Sequence, residues 1–259
     1  MNRRFCHVSM LLATGLGLTS FAYAQPVVEQ IDRFELNYST MRIRFYGEAA
    51  VDFAQKGFEG AEKVATEEGL VYALSALAKV RAQKGLSEEA SAALATELTR
   101  TAYVFNTTYF TDGRVRVELD SSLPKAMDLG FNEFAGEDPA AQPSEGSAVV
   151  VQISGLKTPL LQTEIRSTDG ELLYSPKDIA KSAYKKQMTG RWFFKNSGEL
   201  KSYIGGKPVE IDAVAEGDKT LIVTKESWTK LKTEHPRLLE EAKLAFVIPG
   251  PARGQRSSN

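Results

Sequence analysis

The side chains that carry acid–base and nucleophilic chemistry near neutral pH are chiefly His and Cys. This 259-residue chain has two of the first and one of the second: His7, His235 and Cys6. A Ser-His-Asp triad in the body of the chain would have to be built on His235. That residue sits between Glu234 and Pro236, and a base acts only within hydrogen-bond reach of a nucleophile. No Gly-x-Ser-x-Gly elbow accompanies it, so it reads as a surface histidine. Paired carboxylates are the next option, and Glu67-Glu68, Glu88-Glu89 and Glu240-Glu241 are adjacent on helical stretches. Adjacent residues on a helix diverge, which makes them poor partners for general acid–base work. Asp112 and Asp169 each stand in a Thr-Asp-Gly turn, where Asp serves the backbone. Dinucleotide, phosphate-loop and calcium-loop spacings do not occur. No residue is assigned a catalytic, cofactor-binding or metal-binding role, and the chain reads as non-enzymatic.

The first 24 residues have the layout of a secretory signal peptide. Arg3 and Arg4 precede an apolar run from Val8 to Leu18, and Ala22-Tyr23-Ala24 is a small-x-small cleavage site. That run is too short to span a bilayer, and no later stretch is predicted to cross one. Export is expected to remove Cys6 and His7, leaving 259 − 24 = 235 residues without cysteine. Disulfides and thiolate metal sites are then excluded, as are zinc sites rich in His or Cys. Cys6 precedes the apolar region, whereas a lipidation cysteine would follow it, so no acyl anchor is expected. Loss of two arginines gives a mature charge of 30 − 33 = −3. Such a balance offers no general attraction for nucleic acid or an anionic membrane. The expected location is the periplasm, peripheral to the outer membrane at most.

Gly136 to Ser147 is poor in large apolar residues and rich in Pro, Gly and Ala. It is expected to act as a linker over 134–147 between an N-terminal domain, 25–133, and a C-terminal domain, 148–249. Residues 250–259 read as a disordered tail. In the first domain Phe34 and Leu36 alternate with polar neighbours, and Met41 to Tyr46 alternates with period two, as a half-buried strand does. Ala61, Ala65, Gly69 and Ala73 recur every fourth position with Leu70, Leu74, Leu77 and Ala78 beside them. That is a helix whose small residues allow close approach to a sheet. The helix is expected to end near Gly85. Ser87-Glu88-Glu89 would cap a second helix carrying Ala90, Ala93, Leu94 and Leu98 inward. Ala102 to Phe110 is rich in strand formers, Thr111-Asp112-Gly113 is a turn, and Val115, Val117 and Leu119 point to the core. The domain reads as β-β-α-α-β-β: α+β, an antiparallel sheet backed by helices on one face.

Arg42, Arg44, Arg114 and Arg116 fall on the non-core sides of two of these strands. If the strands pair, the open face carries four arginines with Glu118 beside them. One reading is a docking surface for an anionic glycan, a lipid head group or a protein acid patch. The other is an ordinary solvated sheet face. Tyr103, Phe105 and Tyr109 are expected on one side of their strand, either as a sugar-binding row or as cross-strand packing.

The second domain is predicted to be a smaller α+β unit. Val149 to Ile153 is an apolar strand, and Thr168-Asp169-Gly170 turns a hairpin. Asp178 to Met188 reads as a short polar helix, and Trp192-Phe193-Phe194 as core. Val209 to Val214 and Thr220 to Val223 form a second hairpin. Thr224 caps a helix through Lys232, another short helix holds Leu238 and Leu239, and Leu244 to Ile248 closes the unit.

Several of these stretches together resemble the bacterial twenty-kilodalton outer-membrane lipoprotein family and its flagellar accessory relatives. Asn37 to Gly47 is similar to that family's opening strand, which ends in a small residue before the helix, and Ala65, Gly69, Ala73 and Leu77 to its Ala-rich helix. The hairpin closed by Val115 and Val117 matches next. Val149 to Gly155, Pro159 to Ile165, Asp169 to Tyr174 and Lys207 to Ala213 look like the longer members. The resemblance implies a non-enzymatic envelope role: scaffolding, or assembly of structures such as a flagellar basal disk or outer ring. It brings no catalytic residue and no cofactor. The implied partners are envelope proteins, with a homo-oligomer or a peptidoglycan or polyanion contact as further forms. Lacking a lipidation cysteine, this chain would be a non-lipidated, soluble member.

Overall fold

A computed structural model describes residues 25–54, 56–83, 90–126, 133–140, 147–161, 163–217 and 220–250 of the chain. The expected signal peptide, the Ser87-Glu88-Glu89 cap and most of the tail lie outside these residues, as do the side chains of Ala90, Ala93 and Leu94.

The first half builds a five-stranded antiparallel sheet from β1 (Val28–Ile31), β2 (Phe34–Asn37), β3 (Arg42–Ala50), β4 (Tyr103–Tyr109) and β5 (Arg114–Ser122), in the order β1-β2-β3-β5-β4. Helices α1 (Gly57–Gln83), α2 (Ala90–Thr101) and α3 (Leu123–Ala126) complete it. The fold class is α+β as the sequence pattern predicts, with β1 added ahead of the expected first strand. Alternation decides the faces: Ile43, Phe45, Val115, Val117 and Leu119 are buried, and α1 covers them from β3 to β5.

That helix sits unusually low on the sheet. A Cβ on Gly47 would collide with the Ala65 carbonyl and lie 2.5 Å from the Gly69 nitrogen; one on Gly69 would lie 2.9 Å from the Gly47 nitrogen. The fourfold ladder therefore meets β3 backbone to backbone. Ala61, Ala65, Ala73 and Leu77 are buried in the seam, whereas Leu70 and Leu74 are only half-buried and Ala78 is exposed. A four-residue repeat drifts around a 3.6-residue helix, which moves the flanking leucines off the contact line.

The second half builds a seven-stranded sheet in the order β8-β7-β11-β10-β6-β12-β9. Its strands are β6 (Val149–Ser154), β7 (Glu164–Ser167), β8 (Leu172–Tyr174), β9 (Arg191–Phe194), β10 (Val209–Glu216), β11 (Thr220–Val223) and β12 (Leu244–Ile248). Hairpins β7–β8 and β10–β11 are antiparallel, but β10, β6, β12 and β9 run parallel. Parallel strands need both faces covered. Helix α5 (Gly198–Ile204) covers one face through Leu200, packed with Val150, Phe193, Ala245 and Val247. Helices α4 (Lys181–Gln187), α6 (Lys225–Glu234) and α7 (Pro236–Glu240) supply Ala183, Trp228, Leu231, Leu238 and Leu239 to the main core. Every residue of β12 is consequently buried. Among the described residues, no helix is long and apolar enough to cross a membrane.

The described part of the expected linker is packed. Ala135 donates its backbone N–H to Ile179 O (2.9 Å), Gly136 O accepts from the Lys181 backbone N–H (2.8 Å), and the Phe134 ring packs against Tyr184 at 5.4 Å, tilted by 52°. The two halves also touch directly. Trp192 N–H donates to Tyr38 O (3.2 Å) and Ser39 Oγ donates to Trp192 O (2.6 Å), so the first half seals edge strand β9.

Candidate functional site

The open face of the first sheet is set by the β3–β5 register. Arg44 lies opposite Asp120, Tyr46 opposite Glu118, Glu48 opposite Arg116 and Ala50 opposite Arg114. Antiparallel pairing therefore splits the four arginines into two groups, with Arg44 and Arg116 four residues, or about 13 Å, apart along the strands. Each group closes on a carboxylate. Asp120, 4% exposed, accepts from Arg42 Nε at 2.5 Å and faces Arg44 Nη2 at 3.4 Å. Glu48 accepts from Arg116 Nε at 2.8 Å and Arg114 Nη1 at 3.0 Å. The hydrogen bond from Arg116, opposed by partial burial and reinforced by both arginine charges, holds the Glu48 carboxyl below its ordinary range.

Aromatic rings fill the spaces between the guanidinium groups. Arg44 lies 4.0 Å from the Phe105 ring centre, Arg116 4.3 Å from Tyr46, Arg114 5.0 Å from Phe110, and Arg42 5.4 Å from Tyr103. With Glu35, Glu48, Glu118 and Asp120 on the same face as the four arginines, formal charge there is 4 − 4 = 0. The face is a mesh of stacked and paired groups, whose field on a distant polyanion is small.

The acids of this mesh continue the same alternations as the arginines: Arg42, Arg44, Tyr46, Glu48 on one strand and Arg114, Arg116, Glu118, Asp120 on the other. Glu48 and Asp120 were thus available to a reading that carried each alternation to the strand's end. The aromatic row is different. A bulge between Val104 and Asn106 shifts the register. Tyr103 and Phe105 stay on the open face with Arg42 and Arg44. Tyr109 falls on the helix side, where its hydroxyl donates to Glu62 Oε1 at 2.6 Å and its ring meets Phe58 at 5.4 Å. The expected three-residue row does not exist, because one extra residue inverts the faces after it.

Strand β4 is the outer edge of this sheet and the most exposed apolar element. Tyr103, Val104, Phe105 and Tyr109 are each more than half exposed. Phe53 and Phe58 extend the patch toward the start of α1, with their rings 5.6 Å apart. His235 is not the surface histidine expected from sequence. It joins α6 to α7 with its side chain 15% exposed and its Nδ1 buried, and its Nε2 is 4.0 Å from a Glu234 oxygen. Among the described residues, no three His, Cys, Asp or Glu side chains gather closely enough to hold a metal ion. In comparisons with known proteins, no family model matches this chain and no curated protein matches it.

Proposed function

We propose that this chain is an exported, non-enzymatic assembly protein of the cell envelope, which acts by accepting a strand of another polypeptide on the edge of β4. The supporting observation is the contrast among the four sheet edges. β1 has four residues including Glu29, β8 has only three, and β9 is sealed by Tyr38 and Ser39. β4 has seven residues with neither charge nor proline, and four of its side chains are large, apolar or aromatic and exposed. Proteins that are not meant to associate blunt such an edge. An added strand gains main-chain hydrogen bonds there, and the Phe53–Phe58–Tyr109 cluster offers it an apolar shelf. The bulge leaves Asn106–Tyr109 regular, so this is where a partner strand would pair. The resemblance to outer-membrane lipoproteins and flagellar accessory proteins supports the same reading, with the periplasm as its place.

The test combines solution association and cross-linking in cells. A photo-reactive side chain at position 107 should yield adducts with a second copy or an envelope protein, and these should vanish in the Thr107→Lys/Tyr109→Lys double variant. Circular dichroism would confirm that the variant folds. A wild-type chain that is monomeric at high concentration and forms no adduct sensitive to that double substitution would rule the reading out.

A further inference from the structure

The geometry points to a second site, at the seam of the two halves, that binds a multivalent phosphate anion. Lys186 of α4, Arg191 of β9, Lys201 of α5 and Lys243 just ahead of β12 line one cavity of about 1020 Å3, with the Ser39–Thr40 turn of the first half on its wall. Among the described residues none of these four cations has an ion-pair partner, in contrast to the arginines of the open sheet face, each of which does. Glu199 is the one acid in the lining, so the cavity carries an excess of 4 − 1 = +3.

Two of the cations are held in place. Arg191 lies 5.2 Å and the Lys243 ammonium 5.8 Å from the ring centre of Tyr203. Tyr203 is itself fixed: its hydroxyl donates to Gln187 Oε1 at 2.9 Å, Gln187 Nε2 donates to Glu241 O at 2.9 Å, and its ring packs on Phe193 at 5.1 Å. The preorganised guanidinium and the adjustable lysines are the combination that phosphate recognition uses. Arg191 Nε and Glu199 Oε2 are both buried without a partner, so the open side of the site is formed by the exposed side chains of Lys186 and Lys201. A triple positive excess fits an oligophosphate better than a single carboxylate. Such phosphate could arrive free in solution or on a phosphorylated lipid head group. None of these residues belongs to β4, so the site stands independently of strand addition.

Isothermal titration of the mature chain with orthophosphate, pyrophosphate and tripolyphosphate tests the assignment, and flotation with cardiolipin vesicles, whose head group carries two phosphates, separates the two sources. Affinity should rise with phosphate number and fall with salt. Lys186→Gln and Lys201→Gln, both at exposed positions, should each weaken tripolyphosphate binding about threefold, and Arg191→Gln about tenfold. Arg44→Gln/Arg116→Gln should leave binding unchanged. Vesicle capture displaced by tripolyphosphate assigns the site to a lipid head group; tripolyphosphate binding without flotation assigns it to soluble phosphate. No binding at millimolar tripolyphosphate, or equal loss in the Arg44/Arg116 variant, overturns the proposal.

Discussion

Among single residues, the buried phenols have the most direct consequence in solution. Tyr38 is 1% exposed and hydrogen-bonded to Glu29, Tyr174 is fully buried, and Tyr203 lies beneath two cations. Burial, more than any neighbouring charge, pushes all three hydroxyls above their ordinary range, and for Tyr203 it outweighs the opposing pull of Arg191. The sign of the linkage follows. In the unfolded chain these phenols release protons near pH 10, while the folded protein retains them. Stability from this source is therefore complete below pH 10 and is lost as pH rises toward the folded-state values. Phenolate absorbance followed against pH should show Tyr38, Tyr174 and Tyr203 ionising together with the loss of far-ultraviolet circular dichroism. Smooth titration of every tyrosine in a chain that stays folded would contradict this.

For the elements, the position of α1 rests on two glycines that face each other. Gly47→Ala would place a methyl group against the Ala65 carbonyl and the Gly69 nitrogen, both backbone and unable to yield without moving the helix. The expected loss is about 3 kcal/mol, the upper end for overpacking. Gly69→Ala meets the Gly47 nitrogen, also backbone, at 2.9 Å and the Leu119 side chain at 3.0 Å; because this overlap is shallower than the one at Gly47, about 2 kcal/mol is expected. Urea midpoints at constant m would report both losses. This contact was legible in the sequence, since small residues at every fourth position announce a close approach. The helix-facing side of β5 and both hairpins of the second half were legible for a similar reason: alternation, the Thr168-Asp169-Gly170 turn and the Glu216-Gly217-Asp218 turn are local signals. The parallel core of the second sheet left a trace too, in the unbroken apolar runs Val149–Val151 and Leu244–Ile248, although strand order did not. The bulge at Phe105 had no marker, because no glycine accompanies it. The cationic cavity had none either. Its members at positions 186, 191, 201 and 243 come from four separate stretches, and only the order β6-β12-β9 with α4 and α5 alongside brings them together.

The molecule as a whole is held by a core that runs through both halves: Phe34, Leu36 and Leu77 belong to the same buried cluster as Trp192, Trp228 and Phe246. The join is polar at one point. Ser39 Oγ accepts from Val27 N–H at 2.9 Å and donates to Trp192 O at 2.6 Å, next to the Trp192 N–H bond to Tyr38 O. A single buried hydroxyl thus satisfies one backbone group from each half. Halves joined only by a flexible tether would unfold separately, whereas a continuous core predicts one cooperative transition, with calorimetric and van't Hoff enthalpies equal. Ser39→Ala removes both bonds while adding no bulk, leaving a buried donor on Val27 and a buried acceptor on Trp192. Each unsatisfied group costs about 1–3 kcal/mol, so a loss of about 3 kcal/mol is expected, or roughly 6–12 °C in Tm for a chain of this size. Because the damage is confined to the join, the variant should also broaden or split the transition, which a cavity of equal cost inside either half would not do. Two resolved transitions in the wild-type protein would contradict the single cooperative core.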